Sequence, residues 1–228
     1  RRIMAEVPCA ILVVTFSLSE QVSRVVEAMA AGAVDAVNTP SLVDDPERAG
    51  AALLAKLETM GRLLDRSAPH VPPVGPLTET APAGRNGQAL VVMGASTGGP
   101  AALAAVLGQL PAAFPAPIVI VQHVDERYAP PMVDWLSTQT PLAVRGVRGG
   151  EVPGPGEVWM ATREAHLLLS GGGELVYREK TQHPEEPVYC PSVDCFFQSV
   201  ARFWHGRALG LLLTGMGSDG AAGLLSMR

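Results

Sequence analysis

The sequence predicts an α/β protein: the C-terminal portion of a doubly wound domain, a polar linker, and then a mainly parallel α/β domain with an antiparallel hairpin addition. Three observations predict it. Continuous apolar, β-branched runs occupy residues 9–15, 90–93, 117–121 and 208–213, and strands buried on both faces read this way. Segments with apolar residues at helical spacing follow these runs, the alternation that builds parallel sheets. Residues 67–87 are rich in Pro, Gly, Ser and Thr, a composition that cannot bury enough apolar area to offset the entropy of ordering it.

The first unit spans residues 1–66. Cys9 to Thr15 is a buried strand, and Val22, Val25, Val26 and Met29 then recur at helical spacing, with Gly32 as the stop. Ala33 to Pro40 is a second strand. Leu53, Leu54, Leu57 and Met60 mark a second helix, with Asp44 and Asp45 suited to its N-terminus. Strand, helix, strand, helix is too short for a whole domain. After the linker at 67–87, the second unit runs over residues 88–228. A strand at 88–94 leads into an Ala- and Leu-rich helix from Gly99 to Leu110, and a strand at 117–122 precedes a short helix at 130–138. Then the period shifts toward two. Segments 142–147, 157–161, 165–170 and 174–178 read as an antiparallel addition, with Gly171-Gly172-Gly173 as its hairpin turn. A helix opening at Pro191-Ser192-Val193-Asp194 carries Phe196, Phe197, Val200 and Phe203 on one face, and the strand at 208–214 ends the pattern.

Composition narrows the function classes. With 47% hydrophobic and 17% charged residues, the chain has ample material for a buried core. Residues 1–87 carry 8 basic and 10 acidic side chains within a formal charge of −5, and no basic run exists to neutralise phosphates, which argues against nucleic acid as a partner. Cys9, Cys190 and Cys195 form neither an even framework nor a Cys-x-x-Cys pair, so no disulfide or zinc site is expected and a reducing cytoplasm fits best. No run approaches a membrane span. The first residue is Arg rather than Met, so the chain is expected to begin inside a longer protein.

The chemistry gathers at three strand ends. Gly94-Ala-Ser96-Thr-Gly98 between strand and helix fits a nucleophile elbow, a phosphate-binding turn or a plain turn. His123 follows the next strand; alone, it reads as a general base or as a hydrogen-bonded structural residue. Asp219 follows the last strand, and it either orients an imidazole or caps the helix after it. In an open parallel sheet such ends share one edge, where ligands bind. Jointly, Ser96, His123 and Asp219 form an acyl-transfer site, the serine attacking, the histidine moving its proton and the aspartate holding the ring. Backbone N–H groups after Ser96, Thr97 among them, are candidates for the oxyanion, with the Met216 N–H second. The order Ser, His, Asp differs from that of α/β-hydrolases. His166 reads as a packed core residue, and Ser192 and Asp194 read first as helix N-terminal residues and second as cleft lining.

Four motifs, Gly94-Ala-Ser-Thr-Gly-Gly99, Val121-Gln-His-Val124, Pro191-Ser-Val-Asp-Cys-Phe196 and Leu213-Thr-Gly-Met-Gly-Ser-Asp-Gly-Ala221, resemble in order and spacing the catalytic domain of chemotaxis-type protein-glutamate methylesterases, the CheB family. Residues 1 to about 66 resemble the last third of a response-regulator receiver, with Thr15 at the switch position. The resemblance implies a cytoplasmic response regulator that hydrolyses glutamate methyl esters on methyl-accepting chemoreceptors and deamidates receptor glutamines, through Ser96, His123 and Asp219 with Thr97 and Met216 beside them. It implies a histidine kinase as partner of the full-length receiver, no metal or other cofactor in the catalytic domain, and magnesium only in an intact receiver. Thr39 stands where receivers carry Lys, and Cys190 where an Arg often precedes the Pro-Ser-Val-Asp run. The family is expected to continue past Arg228. A docking module without turnover and an esterase of small metabolites, which predicts a deep apolar pocket, are the alternatives.

Overall fold

The computed structural model describes residues 2–7, 9–16, 21–40, 50–64, 88–181, 183, 187–214 and 218–228. The linker expected at 67–87 and the Met216 position lie outside the described residues.

The N-terminal block holds α1 (Arg2–Glu6), β1 (Leu12–Thr15), α2 (Val22–Ala30), β2 (Asp35–Asn38) and α3 (Ala51–Leu64). β1 and β2 pair in parallel, Thr15 opposite Asn38. The turn out of α2 passes through Gly32 at φ +103°, a left-handed conformation that glycine adopts without a Cβ penalty. The apolar stripe expected on α2 is buried at Val25 and Val26.

The larger part begins with β3 (Ala89–Ala95), α4 (Gly99–Leu107), β4 (Ile118–Gln122), α5 (Ala129–Ser137), β5 (Ala143–Gly146) and β6 (Glu157–Met160). It continues through β7 (Ala165–Leu169), β8 (Leu175–Glu179), α6 (Val193–Phe203), β9 (Arg207–Leu212) and α7 (Ala221–Ser226). Its main sheet has the order β5-β6-β4-β3-β9, every pair parallel. This corrects one expectation. Residues 142–147 and 157–161 do not join an antiparallel addition; β5 and β6 extend the parallel sheet, because α5 carries the chain back across the sheet so that β5 runs the same way as β4. Among the described residues, β7 and β8 form the antiparallel hairpin, turning through Gly173 at φ +86°.

Strand alternation sorts the core into two layers. Val91, Met93, Ile118 and Ile120 face Leu103, Leu107, Met132 and Leu136 of α4 and α5. Leu90, Val92, Val119 and Val121 face Phe196, Phe197 and Val200 of α6, with Leu167 and Leu169 beside them. Phe196 and Phe197 are fully buried, each contributing roughly 1.5–3 kcal/mol. Gly94 lies on the α6 side, where a Cβ would run into Val193. The glycine therefore lets the N-terminus of α6 press against the end of β3, next to the residues that follow it. Among the described residues, no helix is long and apolar enough to cross a membrane.

Candidate active site

The three strand-end residues emerge from neighbouring strands. β3 lies between β4 and β9, in a register that pairs Ala95 with Gln122 and Gly94 with Leu212. Ser96 follows β3 directly. Its backbone N–H donates to Thr214 Oγ1 at 2.9 Å, and its carbonyl accepts from Gly99 N at 2.7 Å and from Gln122 Nε2 at 2.9 Å. The same Gln122 amide donates to the His123 carbonyl at 3.1 Å, so one buried side chain ties two of the three strand ends together. A Cβ on Gly99 would collide with that amide, and Gly98 takes φ +77°. Both glycines are needed for the tight turn, as the elbow pattern requires.

His123 and Asp219 meet. His123 Nε2 lies 2.7 Å from Asp219 Oδ2, and the ring stacks on Tyr189 with centroids 4.5 Å apart and planes 10° from parallel. Nδ1, the other ring nitrogen, is buried without a hydrogen-bond partner. Of the two bonds that a serine relay needs, the histidine–aspartate bond is made and the Ser96–Nδ1 bond is not. Catalytic hydrogen bonds often tighten only when substrate is bound.

Asp219 accepts three further bonds: from Ser192 Oγ at 2.8 Å, Val193 N at 2.8 Å and Asp194 N at 3.1 Å. It caps a helix, as one expectation had it, but that helix is α6 rather than the one that follows it. Burial pushes the Asp219 carboxyl up; the His123 ring, the two α6 N–H groups and the Ser192 hydroxyl outweigh that and hold it at about 2. The positive end of the α6 dipole acts in the same direction. Ser192 is itself the α6 N-cap, accepting from Cys195 N at 3.2 Å, and its N–H donates to Nδ1 of the fully buried His166 at 3.2 Å. Asp194 turns away to accept Gly223 N at 2.6 Å. Sequence reasoning missed Tyr189, Gln122 and Thr214; the Val121-Gln-His and Leu213-Thr-Gly motifs held two of these signals.

Thr97 is occupied. Its hydroxyl donates to Asp35 Oδ2 at 2.8 Å, an oxygen that also meets Lys56 Nζ at 2.7 Å, while Gly98 N donates to the Val34 carbonyl at 2.9 Å. The N-terminal block thus sits on the elbow. Between the two parts lies a cavity of about 990 Å³, bounded by Asp35, Val37 and Lys56 on one side and by Ser96, His123 and Tyr189 on the other. Thr15 ends β1, its carbonyl accepting Thr39 N at 2.7 Å. Among the described residues, no group of three or more His, Cys, Asp or Glu is placed to hold a metal ion.

A model of the CheB methylesterase family matches residues 91–228, more than half of the chain. The chain belongs to the CheB methylesterase family. It is 55% identical over 231 residues to protein-glutamate methylesterase/protein-glutamine glutaminase 2 of Burkholderia lata, a match covering 100% of this chain and 66% of that protein. It is 49% identical over 234 residues to protein-glutamate methylesterase/protein-glutamine glutaminase 3 of Pseudomonas aeruginosa, covering 100% of this chain and 67% of that one. The chain therefore spans about two thirds of the length of these CheB relatives. The CheB methylesterase catalytic domain of Thermotoga maritima is similar in structure, with a TM-score of 0.55 at 32% identity over 61% of this chain and 74% of that one.

Proposed function

We propose that the chain is the receiver end and catalytic core of a response-regulator hydrolase, which removes methyl esters from glutamate side chains of methyl-accepting receptors and deamidates receptor glutamines. The observation that carries this reading is the 2.7 Å His123–Asp219 contact at the ends of the two strands that flank the strand of Ser96. In the proposed reaction, Ser96 Oγ attacks the ester carbonyl carbon while Nδ1 of His123 takes the hydroxyl proton. The carbonyl oxygen becomes an oxyanion, for which the Thr97 N–H is the proposed backbone donor. As the intermediate collapses, the bond between the former carbonyl carbon and the methoxy oxygen breaks and the imidazolium protonates the departing methoxide, giving methanol; with a glutamine, ammonia leaves. Water deprotonated by His123 then hydrolyses the Ser96 ester, and Asp219 holds the ring throughout.

The N-terminal block belongs to the same reading. With Asp35 on Thr97 and Val34 on Gly98, a receptor helix cannot reach Ser96 until the two parts separate. In the full-length protein, phosphorylation of the receiver by a histidine kinase is the proposed trigger, and receptor helices on the cytoplasmic side of the membrane are the proposed substrate, which places the enzyme in the cytoplasm. The cavity at the junction does not favour a small-metabolite esterase, because one of its walls is the N-terminal block itself. The test is Ser96→Ala in the full-length protein, assayed for methanol release from methylated receptor; unchanged release would sink the proposal.

A further inference from the structure

We propose that Tyr189 is a positioning residue for the base: its ring, stacked on His123, holds the imidazole in its working orientation and stabilises the imidazolium formed as Ser96 attacks. The inference rests on the hydrolase reading above. The ring of His123 is fixed at one atom, Nε2, by Asp219, and Nδ1 has no partner. One hydrogen bond leaves an aromatic ring free to swing about that contact. Tyr189 covers its face at 4.5 Å and within 10° of parallel, and so removes that freedom. It comes from the loop that enters α6, the helix whose N-terminus holds Asp219, so the face and the edge of the imidazole are set by one stretch of chain.

The stack also acts on charge. A neutral imidazole gains ordinary aromatic contact from a phenol face, whereas an imidazolium adds the attraction of a cation for the π cloud. The positive charge exists on the ring only after the Ser96 proton has moved, so the added attraction is stronger in the transition state than in the ground state. Interactions of that kind appear in kcat rather than in KM.

The test uses the full-length protein with Tyr189→Phe, Tyr189→Leu, Tyr189→Ala and Ser96→Ala, each assayed for methanol release from a receptor fragment methylated on glutamate. Leu and Ala are expected to lower kcat by about 5- to 30-fold with KM within about twofold of the parent, and Phe to retain activity. Leu fills most of the space without a π face, so full activity in Tyr189→Leu overturns the inference. A raised KM at unchanged kcat overturns it too, by making Tyr189 a substrate contact. A silent Ser96→Ala beside a fully active Tyr189→Leu leaves the hydrolase reading standing and removes this inference alone. An active Ser96→Ala removes both.

Discussion

Replacing Asp219 by Asn tests how the carboxylate divides its work. An amide keeps the shape and loses the charge, and it offers an acceptor on one side only. With its oxygen at the Oδ2 position it keeps the bonds from Val193 N and His123 Nε2. Its NH2 then faces the Ser192 hydroxyl, which can accept, and the Asp194 N–H, which cannot. Turned the other way, the NH2 opposes Val193 N–H and donates to Nε2 once the ring proton has moved to Nδ1. Each orientation therefore opposes one backbone N–H, and the second puts the ring proton on Nδ1, where the base has to be free. What is lost is charge. A unit pair 2.7 Å apart is worth about 6 kcal/mol at an effective dielectric of about 20, and the corresponding change in a serine protease triad lowers kcat about 10,000-fold, there through a wrong tautomer. Because one of the two orientations keeps the tautomer here, we expect a smaller loss, on the order of 100- to 1,000-fold in kcat. Holding the carboxyl at about 2 against an ordinary 3.8 corresponds to a stability loss on the order of 2 kcal/mol at neutral pH. Steady-state methanol release and urea unfolding of the full-length protein measure the two effects. A kcat within threefold of the parent, or an unshifted urea midpoint, would refute the reasoning.

Two further outcomes follow from the same contacts. Asp219 has a folded-state pKa below its unfolded value, so its contribution is complete above about pH 4 and is lost as pH falls through about 2; in an acid titration the parent should lose stability across that window and Asp219→Asn should lack that component. Asp35→Ala removes the acceptor of the Thr97 hydroxyl, a bond to a charged group worth about 1.5–3 kcal/mol, so unstimulated methanol release by the full-length protein should rise several-fold. No rise in a variant with parental circular dichroism would count against the N-terminal block as a cover.

The strands that carry the site were legible because strands buried on both faces, such as 90–93 and 118–121, leave unbroken apolar runs. The positions of Ser96, His123 and Asp219 just past such runs were enough to place them on one edge. The pairing of β5 and β6 was not legible, since a short strand of mixed polarity looks the same in a hairpin and at the margin of a parallel sheet. Tyr189 gave no signal: a ring presented by a non-periodic loop has no spacing to read. The Thr97–Asp35 bond joins residues 62 apart, and no local pattern encodes which hydroxyl a distant carboxylate will find. Ser192 reads from the sequence as a helix N-terminal residue, and it is the N-cap of α6; its second bond, to Asp219, depends on Gly94 admitting α6 so close to the end of β3.

Because the carboxylate that bonds the imidazole is also what closes the N-terminus of α6, any edit to Asp219 is expected to mix lost turnover with a loosened helix. Ser96 has no such double duty, since its backbone atoms rather than its hydroxyl hold the turn. If the proposed mechanism holds, Ser96→Ala is thus the suitable partner for trapping methylated receptor on the enzyme: a variant expected to keep its scaffold and to lose the reaction.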